Sequence, residues 1–141
     1  GNRSAVFDVP TLADRLAEAT GWLRGAPAAR DLPVGYFGAS TGAAAALCAA
    51  TQPDLGVAAV VSRGGRPDLA GACLDAVTCP TLLVVGGRDP AVEELNRQAQ
   101  ARMTGRAELV VVPGATHLFE EPGALEAVAD LAAEWFTRHL A

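Results

Sequence analysis

Ser40, Asp89 and His117 are the residues of this chain whose types could together do nucleophilic chemistry. A serine hydroxyl is a weak nucleophile until a base takes its proton. Histidine is the side chain suited to that work near neutral pH, and a carboxylate behind it holds one tautomer and stabilises the imidazolium. Ser40 lies in Gly38-Ala39-Ser40-Thr41-Gly42, a G-x-S-x-G sequence between an apolar run (residues 34–37) and an alanine-rich run (residues 43–50). A strand, a sharp turn bearing serine and a helix form the setting of a nucleophile elbow. Side chains are not expected to fit on the flanks of so tight a turn, so glycine is expected to be required at Gly38 and Gly42. The N–H of Thr41, at the start of the helix, is the expected donor to an oxyanion.

Each of these residues also has an ordinary structural role open to it. Ser40 could cap the following helix, Asp89 could cap a helix starting near Ala91, and His117 could be a plain loop histidine. Other acids compete with Asp89. Asp68 is expected to cap a short helix, Glu120 and Glu121 are expected to partner a helix dipole, and Glu93 and Glu94 sit within a helix. His139 is expected to be a solvated cation at a helix C-terminus. Arg63 and Arg66, at the end of an apolar run, could bind a substrate carboxylate or an internal acid, or serve the surface. Cys48, Cys73 and Cys79 are odd in number and lack metal-ligand spacing. They are expected as thiols, with Cys48 and Cys79 buried, and a reducing cytoplasm is the matching location.

The elements that must position these groups follow from apolar patterning. Residues 10–24 carry Leu12, Leu16, Ala19 and Leu23 at helical spacing. Helices are also expected over 41–51, 92–103 and 122–140, with a short one at 68–77. The last should turn Leu125, Val128, Leu131, Trp135 and Phe136 toward the core. Strands are expected over 34–37, 57–62, 81–85 and 108–112. These runs are apolar on both faces and separated by helices, the mark of a parallel sheet covered on both sides. The reading is a three-layer α/β architecture, a single domain over residues 1–141. Right-handed crossovers put all strand C-termini on one rim, where such sheets bind ligands. Ser40 follows the first strand, Asp89 the third and His117 the fourth, so all three share that rim.

Composition limits the partners. The 141 residues are half apolar and carry a net charge of −5, which argues against nucleic acid. No apolar run approaches the ~18 residues of a membrane span, and residues 1–4 show no apolar leader core. There is no lysine, so all 11 side chains counted as Lys or Arg are arginine.

Three stretches, VGYFGASTGAAAAL, TLLVVGGRDPAV and VVPGATHLFEEPGALEAVADLAAEWF, resemble the C-terminal two-thirds of a dienelactone hydrolase-like α/β-hydrolase. The likeness runs from Val6 onward. It implies Ser40 as nucleophile, Asp89 as acid and His117 as base, in the chain order of that superfamily. It implies hydrolysis of a small ester, lactone or thioester through an acyl-enzyme, without metal or cofactor. Some similar proteins carry this half behind a phosphoribosyltransferase domain, whose diphosphate-binding motif does not occur in these residues. Dienelactone hydrolases proper have cysteine where this chain has Ser40, so lactone specificity does not carry over. The family's fold also has several strands before the elbow, whereas 37 residues precede Gly38. The loop giving the second oxyanion donor is therefore missing, and loss of one such donor costs about 10²–10³ in rate. The expected fold is an α/β-hydrolase sheet lacking its N-terminal strands, with residues 34–37 as an open edge. A second copy, an exchanged strand or an N-terminal segment could complete it.

Overall fold

A computed structural model describes residues 8–104 and 106–140. The expectation about residues 1–4 concerns positions outside the described ones.

The first helix, α1 (Val9–Gly25), opens on Asp8, whose carboxylate accepts from Thr11 N at 3.4 Å and Thr11 Oγ1 at 2.8 Å. Strand β1 (Val34–Ala39) follows and leads into α2 (Thr41–Ala50). A 3-10 turn (Pro53–Leu55) stops that helix before β2 (Val57–Arg63). Next come a second 3-10 turn (Pro67–Ala70), the one-turn helix α3 (Cys73–Ala76) and β3 (Thr81–Gly86). Helix α4 (Pro90–Arg102), strand β4 (Ala107–Val112) and helix α5 (Ala124–His139) complete the chain. The single short helix expected over 68–77 is instead two pieces, broken at Gly71 with φ 56°.

All four strands are parallel, in the order β1-β2-β3-β4. Every crossover steps the same way, and right-handed crossovers then place α2, α3 and α4 on one face. Tyr36 and Val60 pack there against the alanines of α2, Leu74 of α3 and Ala99 of α4. Helix α5 follows the last strand and covers the other face, where Ala59, Val61, Leu82 and Val84 meet Val128 and Trp135. Alanine makes α2 thin, so Ala43 to Ala46 are all buried as the helix presses on the sheet. Strand β3, with a neighbour on each side, is buried at all six residues. Among the described residues, no helix is long and apolar enough to cross a membrane.

Several expectations need correction. Leu125 is 52% exposed, because the buried stripe of α5 runs through Ala124, Val128, Ala132 and Trp135, which turns Leu125 away from the core. His139 is partly buried and its ring packs on Trp135, with centroids 4.3 Å apart, so it is not the freely solvated side chain expected. Cys48 and Cys73 are not free thiols but form a disulfide joining α2 to α3, which removes the ground for expecting a reducing cytoplasm. Cys79 stays a thiol, and burial pushes its pKa up. Among the described residues the expected open edge is present: β1 pairs with β2 alone, and on the α5 face Phe37 is left 50% exposed.

Candidate active site

The elbow is built by close approach of backbone. A Cβ on Gly38 would lie 2.6 Å from Gly42 O and 2.8 Å from Ala43 Cα, so the crossing of β1 by α2 excludes any side chain. Gly42 differs from the expectation: a Cβ there would meet nothing within 4 Å. Ser40 has φ 51° and ψ −123°, a conformation that costs a non-glycine residue about 1–3 kcal/mol. Its side chain makes no capping bond to α2, which sets aside the helix-cap role. Its carbonyl accepts from Arg66 N at 3.0 Å and Ala43 N at 3.2 Å. Thr41 begins α2 and so has no intrahelical acceptor for its N–H.

Asp89 lies just past β3, in a turn closed by Asp89 N donating to Gly86 O at 3.0 Å. It likewise makes no side-chain cap to its helix. The loop after β4 is tied to that turn, with Gly87 N donating to Val112 O and Arg88 N to Ala115 O, both at 2.9 Å. Gly86 allows this approach, since a side chain there would run into the Ala115 carbonyl. His117 is thereby hung between the other two residues. Its Nδ1 lies 2.9 Å from Asp89 Oδ2, and its Nε2 lies 3.0 Å from Ser40 Oγ. The carboxylate can only accept, so the proton belongs on Nδ1 and the Nε2 lone pair faces the serine hydroxyl. The Asp89 side chain is 17% exposed and that of His117 41%, so the inner bond is shielded while the imidazole reaches solvent. The arrangement can draw a proton from Ser40 and hold it.

The two arginines at this rim are engaged by the protein itself. Arg66 grips Asp68 with two bonds, Nε to Oδ1 at 3.0 Å and Nη2 to Oδ2 at 2.9 Å. That is the internal-acid role for Arg66, and it corrects the expectation that Asp68 caps a helix. Arg63 donates from Nη1 to Leu118 O at 3.2 Å and lies 5.4 Å from the centroid of the Phe119 ring. Glu121 also departs from its expected helix-dipole role: its Oε1 accepts from Thr116 N at 3.0 Å and Thr116 Oγ1 at 2.5 Å. The Thr116 hydroxyl is the main cause of a lowered Glu121 pKa. Sequence reasoning also missed Asn96, fully buried in α4, which donates to Gly65 O at 3.0 Å and Val92 O at 2.8 Å and so supports the loop after β2. Its signal was a polar residue on the inward face of a helix.

Comparison with known proteins bears on the family and the fold. Two Mycobacterium tuberculosis proteins, one from each of two strains, are 64% identical over 139 residues and carry the provisional name phosphoribosyl transferase. The match takes in 99% of this chain and 31% of each relative, so the chain spans about a third of their length. The crystal structure of a dienelactone hydrolase from Anabaena variabilis superposes with a TM-score of 0.93 at 55% identity, over 96% of this chain and 62% of that one. A predicted CIB-like hydrolase from Thermoplasma acidophilum shares the fold with a TM-score of 0.66 at 19% identity, over 89% of this chain and 58% of its own. The family model described as dienelactone hydrolase matches residues 6–140, nearly the whole of this chain: the chain belongs to the dienelactone hydrolase family.

Proposed function

We propose that this chain is a serine hydrolase that cleaves a small carboxylic ester, lactone or thioester through an acyl-enzyme. The observation that carries the reading is the unbroken relay from Ser40 Oγ through His117 to Asp89, with steps of 3.0 and 2.9 Å. Ser40 Oγ attacks the acyl carbon as its proton passes to His117 Nε2. Asp89 stabilises the imidazolium and keeps the ring oriented. The Thr41 N–H, strengthened by its place at a helix N-terminus, donates to the developing oxyanion. Collapse of the tetrahedral adduct expels the alcohol or thiol, which takes the proton from His117. Water, activated by the same base, then releases the acid. Acyl transfer to another acceptor would use the same groups and differ only in the second step.

A fluorophosphonate probe, followed by intact mass and peptide mapping, tests this. Ser40 is the expected labelled residue, and Ser40→Ala should abolish labelling. Folded protein that stays unlabelled, or labels elsewhere, would refute the reading.

A second reading has its own observation. Among the described residues strand β1 is an edge, and Phe37, Leu32 and Trp22 are 50, 58 and 73% exposed. The chain also spans only part of the relatives it matches. On this reading the isolated chain is an impaired hydrolase or interaction domain. An N-terminal segment, or a second copy, completes the sheet and supplies the second oxyanion donor. Labelling without turnover, with turnover restored by the upstream region, is its expected signature. A stable monomer with full esterase activity would rule it out. The phosphoribosyl transfer named for the mycobacterial relatives belongs, in this reading, to the part of them that this chain does not span.

A further inference from the structure

We propose that Arg63 and Glu121 are positioning residues that hold His117 from both sides through its sequence neighbours. The proposal rests on the serine-hydrolase reading for its catalytic meaning, though not for its geometry.

The loop from Pro113 to Glu121 has to present an imidazole to two partners at once. A ring on a free loop would sample rotamers and lose that alignment, and an error of about 1 Å in such an arrangement can cost 10²-fold in rate. Tethers on Val112 and Ala115 fix only the first part of the loop. The part bearing His117 is held by two charged side chains. Upstream, Glu121 folds back to take both the N–H and the hydroxyl of Thr116, the residue before His117. Downstream, Arg63 reaches from the end of β2 to the carbonyl of Leu118, the residue after it, and covers the Phe119 ring. Phe119 is 1% exposed and sits at φ 56°, a left-handed conformation rare for a bulky residue. Its N–H closes back on Thr116 O at 3.1 Å. The kink sinks Phe119 into the core beneath α5 while His117 faces the rim. Backbone strain of this kind persists only where the surroundings enforce it. Charged partners suit the task because hydrogen bonds to ionised groups are roughly twice as strong as neutral ones. Neither side chain touches the relay itself, so both would act through His117.

The test uses Arg63→Met, Arg63→Lys, Glu121→Ala, Glu121→Gln and Thr116→Val. Thr116→Val removes one hydroxyl and leaves the loop's shape, so it serves if a larger change unfolds the protein. Two readouts are taken on protein shown to be folded by circular dichroism. One is the second-order rate of fluorophosphonate labelling at Ser40. The other is the long-range ¹H–¹⁵N spectrum of the imidazoles, in which His139 is the internal reference because the chain has two histidines. Arg63→Met and Glu121→Ala should slow labelling by about tenfold to a hundredfold and shift the His117 signals away from a single Nδ1–H tautomer. Thr116→Val should move both readouts in the same direction by less. Arg63→Lys and Glu121→Gln, which keep a donor or an acceptor in place, should recover most of the rate. Folded Arg63→Met, Glu121→Ala and Thr116→Val with the wild-type rate and His117 signals would overturn the proposal. Absent labelling of wild type would instead refute the hydrolase reading, and the imidazole signals would then decide on the brace alone.

Discussion

Replacing Gly38 by alanine adds one methyl group where three backbone atoms converge. That carbon would lie 2.6 Å from Gly42 O, 2.7 Å from Gly42 C and 2.8 Å from Ala43 Cα. Comfortable separation is about 3.5 Å, so each contact is short by roughly 0.7–0.9 Å. None of the three atoms belongs to a side chain that could swing away. Relief requires α2 to lift from the end of β1, loosening alanines buried to 2% or less. Overpacking of this sort costs about 1–3 kcal/mol. The entropic gain of alanine over glycine, about 0.4–1 kcal/mol, offsets only part of it. Gly42→Ala is the matched control. Its added carbon meets nothing within 4 Å, its φ is not positive, and it lies in a helix. There alanine should stabilise by roughly 0.5–1 kcal/mol. Urea unfolding with a common slope should therefore place Gly38→Ala below wild type and Gly42→Ala above it, with about 2 kcal/mol between the variants. Equal midpoints for Gly38→Ala and wild type would refute the steric account of the elbow.

Thr20→Val should cost about 1–3 kcal/mol by stranding the buried Tyr36 hydroxyl, which bonds Thr20 Oγ1 at 2.6 Å. Tyr36→Phe should cost less, since Thr20 keeps its bond to Leu16 O, and a ranking in the other direction by urea unfolding would contradict this. The Cys48–Cys73 bridge closes a separation of 25 residues, worth about 3–4 kcal/mol in the chain-entropy account. A reductant should lower the wild-type midpoint and leave a Cys48→Ser/Cys73→Ser variant unmoved; a midpoint insensitive to reductant would show the bridge does not form. The Glu121 carboxyl has its pKa lowered by the Thr116 hydroxyl, by backbone N–H groups and by nearby Arg88. Its contribution to stability is thus present above the unfolded carboxyl pKa and lost as pH falls through the lower folded value. The stability difference between wild type and Glu121→Gln should accordingly shrink on acidification, and a difference independent of pH would count against that bond.

Much of this was legible in residue order. The strands are apolar runs bounded by glycine or proline, and tertiary contacts lengthened them without relocating any. Ser40, Asp89 and His117 stood out because a parallel sheet converts "just after a strand" into "on the same rim". What was hidden depends on loops closing in space. Glu121 reads as a helix-start acid until its loop folds back on Thr116. Cys48 and Cys73 read as separate thiols because only the packing of α2 beside α3 brings them together. Gly42 reads as obligatory because a motif does not say on which side of the turn the crowding falls. Leu125 had the right period but the wrong phase, since the small Ala124 and Ala132 take the inward stripe with Val128 and Trp135.

The relay owes its geometry to contacts between loops more than to any one loop. Arg66 N reaches the Ser40 carbonyl, Gly64 N reaches Val84 O, Gly87 N reaches Val112 O and Arg88 N reaches Ala115 O. These bonds run from the elbow across each strand end in turn to the histidine loop. All of them lie between β1 and α5, so none depends on what precedes β1. The proton relay should therefore be set by these residues themselves, whereas in the second proposed reading an added segment or copy supplies the far wall of the acyl site and a second oxyanion donor. Reactivity and turnover then separate. A phosphonylating probe needs Ser40 to lose its proton, and in the proposed reading His117 is the base that takes it. Sustained hydrolysis also needs the oxyanion held and the substrate enclosed. If labelling and turnover instead rose together when an upstream segment was added, the elbow and histidine loops could not be positioned by these bonds alone.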